Sequence, residues 1–307
     1  MAYLFRKEII DWTSWAAVLQ SIEDFRPLIS AIFEKERLEG IDRISLLAAG
    51  TNAVFRVGEY VIKILAPCES GVNQDADYDV ELQSMRRAYE LGIRTPRIVA
   101  ASSWQDKYLF AYIVMDFIDG ELAGHAFNKY DDAQKMQFIQ ELKHTMSLFN
   151  TIPDKEMDTR MIRTRALMNS RWEPFPECVK RQVETIIGEL DLSDCVYVHG
   201  DLNANNLIQD ENHRLYLIDF AECIVAPVWY EYPPILFDLF DHDRQAIKAF
   251  MADSHPRDFQ DKVFGALLLH DFGADFIRDI YIRHTGKMVQ EMKNIDEIRS
   301  ILSGLLN

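Results

Sequence analysis

Two stretches of the chain put oxygen-bearing side chains where phosphate chemistry could use them. The segment Tyr197-Val-His-Gly-Asp-Leu-Asn-Ala-Asn-Asn-Leu-Ile208 sets Asp201 and Asn206 in a polar loop between two apolar runs, so buried strands would flank exposed ligands. Eleven residues after Ile208, Leu215-Tyr-Leu-Ile-Asp-Phe220 presents Asp219 at the end of another apolar strand, as a metal-binding carboxylate needs. Phosphoryl transfer requires a carboxylate to accept the proton of the attacking hydroxyl, and oxygen ligands for magnesium bridging the phosphates. These three residues supply both. Any one of them alone would read as a turn or helix cap; the combination points to kinase chemistry.

At these residues the chain resembles the aminoglycoside phosphotransferase and choline-kinase-like superfamily, relatives of the protein kinases. His199-Gly200-Asp201-Leu202 followed by Asn206 resembles that family's H-G-D-x-x-x-x-N catalytic loop, and Ile218-Asp219-Phe220 its I-D-[FW] metal motif, 13 positions after Asn206. The resemblance implies Asp201 as general base, Asn206 and Asp219 as Mg2+ ligands, His199 as a support of the loop, and ATP or GTP as phosphate donor. Lys63, within Tyr60-Val-Ile-Lys-Ile-Leu65, resembles the kinase lysine that meets the nucleotide phosphates. Its expected partner is Glu81, 18 residues on, with Asp77, Asp79 and Glu90 as competitors. The stretch Ala48–Val57 resembles the G-x-x-N-x-V-[FY]-x-V phosphate loop, with Thr51 and Asn52 at its tip. Tyr112–Gly120 resembles the inter-lobe hinge, Met115 taking the gatekeeper position, the Asp116 carbonyl and Ile118 amide the purine edge.

The match departs from its models in places. Gly200 replaces the arginine of a protein-kinase H-R-D and no A-P-E segment follows Asp219, which disfavours protein substrates. Asn203 and Ala204 stand where His-Pro is common, and Ala226–Pro234 only loosely resembles D-P-x-Y-D, with Glu231 where Asp is usual. Asp271-Phe272-Gly273 spells the protein-kinase metal motif, but it falls in a helical pattern from Val263 to Ile280 with no catalytic loop before it, so it reads as coincidence.

The elements that must position these residues follow from periodicity. Apolar residues at helical spacing from Thr13 to about Leu38 predict a leading helix or helix pair with Thr13 or Ser14 as cap. Short β-branched or aromatic runs at Ile44–Leu47, Ala53–Val57, Tyr60–Leu65, Arg97–Ala101 and Tyr108–Phe117, with a helix from about Asp75 to Leu91 closing at Gly92, predict a five-stranded, mostly antiparallel sheet. Beyond Gly120 the pattern is helical, at Asp131–Phe149, Arg160–Arg171 and Pro176–Leu190, with short strands around the catalytic loop. The expected fold is α+β: a bilobal protein-kinase-like fold, residues 1–119 forming a nucleotide-binding lobe with a helical extension and 120–307 a mainly α-helical catalytic and substrate-binding lobe.

Composition narrows the partners. With 33 basic against 49 acidic residues the net charge is −16, which argues against nucleic acid or an anionic membrane and admits a cationic acceptor. The acids after the metal motif, Glu222, Glu231, Asp238, Asp241, Asp243, Asp271, Asp275 and Asp279, are the candidates to bind it. The four cysteines are scattered singly, which fits a reducing cytoplasm. No apolar run reaches membrane-spanning length and no signal peptide is read at the start. The expected activity is transfer of the nucleotide γ-phosphate to a hydroxyl of a small, amine-bearing molecule such as an aminoglycoside antibiotic. The alternatives are a choline, ethanolamine or other metabolite kinase, with Trp229, Tyr230 and Tyr232 as an aromatic box, and an inactive nucleotide-binding pseudokinase. Oligomeric state has no signature in the sequence.

Overall fold

The computed structural model describes residues 3–48, 50–153 and 160–306. The chain divides into two units: one runs to Gly120 and takes in Tyr216–Glu222, the other holds Glu121–Leu215 and the chain from Cys223. The first opens with α1 (Trp12–Ala16) and α2 (Ile22–Glu36), a pair rather than one helix. Asp11, not Thr13 or Ser14, caps α1: its carboxylate accepts from the Ser14 N–H while the Ser14 hydroxyl accepts from the Asp11 N–H, and Ser21 caps α2. A side chain accepting from the first turn stabilises a helix start by about 1 kcal/mol, enough to decide where short helices begin.

The sheet of this unit comprises β1 (Ile44–Leu46), β2 (Ala53–Val57), β3 (Tyr60–Ile64), β4 (Ile98–Gln105) and β5 (Leu109–Asp116), with α3 (Gln74–Glu90) inserted between β3 and β4. It is antiparallel throughout, in the order β1-β2-β3-β5-β4. Alternation sorts its faces: Ala53, Phe55 and Val57 of β2, Ile62 and Ile64 of β3, and Phe110, Tyr112 and Val114 of β5 share one core with Trp15, Phe25, Leu28, Ile32 and Phe33 of the helix pair. Phe25 lies against Phe5, Trp15 and Phe55, and truncating such a fully buried ring costs about 3–5 kcal/mol. Lys63, between Ile62 and Ile64, therefore points to the opposite face of the sheet.

The second unit begins with β6 (Glu121–Leu122) and α4 (Ala123–Phe127), then α5 (Asp132–Phe149), α6 (Arg160–Leu167) and α7 (Glu177–Glu189). A strand-rich island follows: β7 (Cys195–Val198), β8 (Leu207–Gln209), then β9 (Leu215–Leu217), which begins here and runs into the Tyr216–Glu222 segment of the first unit, and β10 (Ile224–Pro227). β7 pairs with β10 and β6 with β8, both antiparallel. After a π-helical turn at Pro234–Leu239 come α8 (Arg244–Met251), α9 (Pro256–Leu269), α10 (Gly273–Thr285) and α11 (Asp296–Leu306). The helix expected to run unbroken from Val263 to Ile280 is interrupted at residues 270–272. There the Asp271 N–H turns to the Tyr230 hydroxyl and the Phe272 N–H to His270 Nδ1, leaving the helical ladder. Among the described residues no helix is long and apolar enough to cross a membrane.

Candidate active site

In the first unit the central feature is Lys63. Its Nζ lies 2.8 Å from Glu81 Oε1 and 2.8 Å from Asp219 Oδ1. Burial alone would depress the ammonium pKa, but the carboxylates of Asp219 and Glu81 outweigh it and hold the group above the ordinary lysine value. Of the acids on α3, Glu81 is the one that faces the lysine. Side-chain exposure separates the roles open to the three: 7% for Lys63 and 1% for Glu81, but 47% for Asp219, so only the last presents its carboxylate to solvent. Asp219 also sits at φ +60°, in the left-handed region that costs a residue with a side chain about 1 kcal/mol or more. The buried neighbour Phe220 anchors the segment beyond it.

The phosphate-loop candidates diverge. Asn52 is buried, and its Oδ1 accepts from the Ala66 N–H at 3.0 Å, tying the β2 entrance to the exit of β3. Thr51 is exposed, with its carbonyl accepting from Trp15 Nε1 at 2.8 Å. At the other end of the sheet Asp116 closes β5, its N–H donating to the Arg97 carbonyl and its carboxylate accepting from Arg97 Nε. Ile118 lies half-buried two residues on.

In the second unit the polar loop after β7 is held by its backbone. Gly200 has φ +82°, a conformation that glycine adopts without steric cost and that accounts for its presence here. The buried Glu231 carboxylate accepts from the His199 N–H at 2.6 Å and the Gly200 N–H at 3.3 Å. Burial pushes its pKa up to about 7 against those two hydrogen bonds, with the charge of Asp201 adding to the rise. His199, fully buried, continues β7 into the loop. Downstream, Asp238 Oδ1 accepts from the Ala204 N–H at 2.7 Å, the Ala204 carbonyl accepts from the Gly124 N–H at 3.0 Å, and Asn203 Oδ1 accepts from the N–H groups of Asn205 and Asn206. Asn206 then turns Nδ2 onto the Asp201 carboxylate (2.7 Å) and carbonyl (2.9 Å). With Nδ2 so placed, the amide oxygen Oδ1 is the atom directed elsewhere, an oxygen of the kind a hard cation takes.

Other residues singled out from sequence are committed to structure. Tyr230 stacks on His270 at 4.4 Å and Tyr232 on Phe259 at 5.2 Å, so one face of each ring is covered by a neighbouring ring. Most of the acids taken as acceptor-binding candidates are engaged: Glu231 and Asp238 with the loop backbone, Asp243 with Lys135, Asp271 with Arg165, Asp275 with Arg171 and Arg278, and Asp241 and Asp279 with Arg283. Sequence reasoning missed Glu231, Asp238 and His270 as residues that fix the loop. A signal existed for two of them: a lone acid within Ala226-Pro-Val-Trp-Tyr-Glu-Tyr-Pro-Pro234, and a histidine ending Leu267-Leu-Leu-His270, are buried by their apolar neighbours and must find polar partners.

A five-stranded antiparallel sheet with a helix between its third and fourth strands, whose buried lysine meets a glutamate and an exposed aspartate, together with a helical unit carrying a polar loop, is the arrangement of a phosphotransferase of kinase-like fold. The phosphotransferase enzyme family model matches residues 43–262, and the chain belongs to that family. No match was found among curated proteins. Solved structures resemble it at low identity. The GDP and kanamycin complex of APH(2")-IIia is 16% identical with a TM-score of 0.61, over 90% of this chain and 98% of that one. An aminoglycoside phosphotransferase, APH(4)-Ia, in a ternary complex with ADP and hygromycin B, is 16% identical with a TM-score of 0.58 over 90% and 97%. A choline/ethanolamine kinase family protein from Mesorhizobium loti is 13% identical with a TM-score of 0.53 over 86% and 85%.

Proposed function

We propose that the protein is a magnesium-dependent kinase that transfers the γ-phosphate of ATP or GTP to a hydroxyl group of a small, amine-bearing molecule. The observation that carries this reading is the Lys63 ammonium held between Glu81 and Asp219, three residues far apart in sequence. A cation kept charged by one buried and one exposed carboxylate is suited to nucleotide phosphates. Asp201 is the general base: Asn206 binds its Oδ2, and Oδ1 takes the proton of the acceptor hydroxyl as that oxygen attacks the γ-phosphorus. The bond from phosphorus to the β–γ bridging oxygen breaks, and its electron pair leaves with the nucleoside diphosphate. Asn206 Oδ1 and the Asp219 carboxylate are the groups that would hold magnesium, which would supply neutralisation of the phosphate oxygens. Those two oxygen donors fit a hard divalent cation that keeps most of its shell as water and phosphate.

Thr51 with Asn52 at the phosphates, and the Asp116 carbonyl with the Ile118 amide at the purine, complete the nucleotide contacts in this reading. The net charge of −16 supports a cationic acceptor, as do relatives of this fold crystallised with kanamycin or hygromycin B. The test is a transfer assay with ATP and GTP, each with and without magnesium, against amine-bearing and neutral hydroxyl compounds. Label on an amine-bearing acceptor supports the reading; transfer to neutral compounds alone removes the amine from it.

A further inference from the structure

We propose that His270 is a positioning residue for Asp201, setting the plane of the Gly200–Asp201 peptide through a hydrogen bond from Nε2–H to the Gly200 carbonyl oxygen. The inference rests on the reading of Asp201 as the base. His270 Nε2 lies 2.9 Å from that oxygen at a buried site. The donor role follows from the other ring nitrogen: Nδ1 accepts from the Phe272 N–H at 3.0 Å, so in a neutral ring the proton is on Nε2. The ring is neutral, because burial pushes its pKa down to about 3 against the pull of the Gly200 carbonyl.

The ring is itself fixed. Tyr230 stacks on it with centroids 4.4 Å apart and planes 28° apart, and the Tyr230 hydroxyl accepts from the Asp271 N–H, tying down the turn from α9 to α10. Asp271-Phe272-Gly273 thus acts through its backbone, as the turn that aims His270. The effect reaches Asp201 directly, since the Gly200 carbonyl and the Asp201 N–H share one rigid peptide plane. Gly200 is at φ +82° and its N–H is accepted by Glu231, so the glycine is gripped on both sides. Without the histidine, a residue as permissive as glycine could rotate that plane and carry the Asp201 carboxylate away from the acceptor.

The test compares His270→Gln, His270→Asn and His270→Phe with wild type and Asp201→Asn in the full chain, measuring kcat, nucleotide KM and thermal midpoint. The glutamine amide nitrogen reaches the place of Nε2, whereas asparagine reaches only that of Nδ1. We expect His270→Gln to keep kcat within about threefold, and His270→Asn and His270→Phe to lose about 10- to 100-fold with nucleotide KM nearly unchanged. If His270→Phe does not fold, the glutamine and asparagine variants decide. Equal kcat for those two, or a nucleotide KM that worsens in step with kcat, overturns the inference. Wild-type turnover in Asp201→Asn overturns the base assignment instead, and the inference with it.

Discussion

At the scale of single residues, two aspartates compete for the metal role. Asp219 presents an exposed carboxylate beside Lys63, while Asp271 is paired with Arg165 in a turn between helices. Asp219→Ala should lower magnesium-dependent turnover by about 100-fold or more, and Asp271→Ala should leave it within a few-fold; the reverse order in a steady-state assay would contradict the assignment. Glu231 makes a prediction about stability. Its folded pKa of about 7 exceeds the ordinary 4.5, so the folded state holds its proton more tightly. The stabilisation is complete below the unfolded value and is lost as pH rises through about 7, by up to ~3 kcal/mol. Thermal midpoints measured from pH 4.5 to 8 should therefore fall more for wild type than for Glu231→Gln, whose amide does not titrate; parallel curves would show that Glu231 is ionised throughout. Residue types and spacing singled out Asp201, Asn206 and Asp219, and the family resemblance added Lys63 with Glu81 as its partner. The partners of the loop were not, because Glu231 and His270 reach His199 and Gly200 across 31 to 70 positions and leave no local pattern.

At the scale of elements, α4 packs directly on the polar loop that carries Asp201 and Asn206. A Cβ placed on Gly124 would fall 2.4 Å from the Ala204 Cβ, so Gly124→Ala must displace either the helix or the loop. It should cost about 1–3 kcal/mol by thermal melting and lower kcat more than nucleotide KM; an unchanged kcat would mean that the loop tolerates movement at Ala204. The strands of the first unit were legible because alternation of Ala53, Phe55 and Val57 against Val54 and Arg56 is a period-two signal with one buried face. The helix starts were less so. Thr13 and Ser14 look like caps by type, but Asp11 accepts from the first turn and Ser14 serves as its partner three residues on. The α9–α10 break was hidden for a related reason: the apolar period continues across residues 270–272 in sequence, while tertiary partners at Tyr230 and His270 draw the backbone N–H groups away.

At the scale of the whole molecule, the family makes the chain a phosphotransferase, and the proposed cationic acceptor makes a prediction about salt. An excess of 16 negative charges attracts a cationic acceptor at a distance, and salt screens that attraction. Acceptor KM should climb several-fold as ionic strength rises from about 0.05 to 0.5 M while nucleotide KM changes less; a salt-insensitive acceptor KM would assign the charge to solubility. That most acids beyond the metal motif are already paired with arginine, lysine or backbone was not legible from their density in the sequence, since composition records charges without their partners. The central claim is that this phosphotransferase works by base-assisted transfer through Asp201. Its most direct test follows γ-phosphate label from ATP or GTP into an amine-bearing acceptor, with magnesium, for wild type and Asp201→Asn side by side. The account predicts labelled acceptor with wild type and a rate lower by about 100-fold or more in the variant, at near-equal nucleotide affinity. Equal labelling by the two proteins would contradict it.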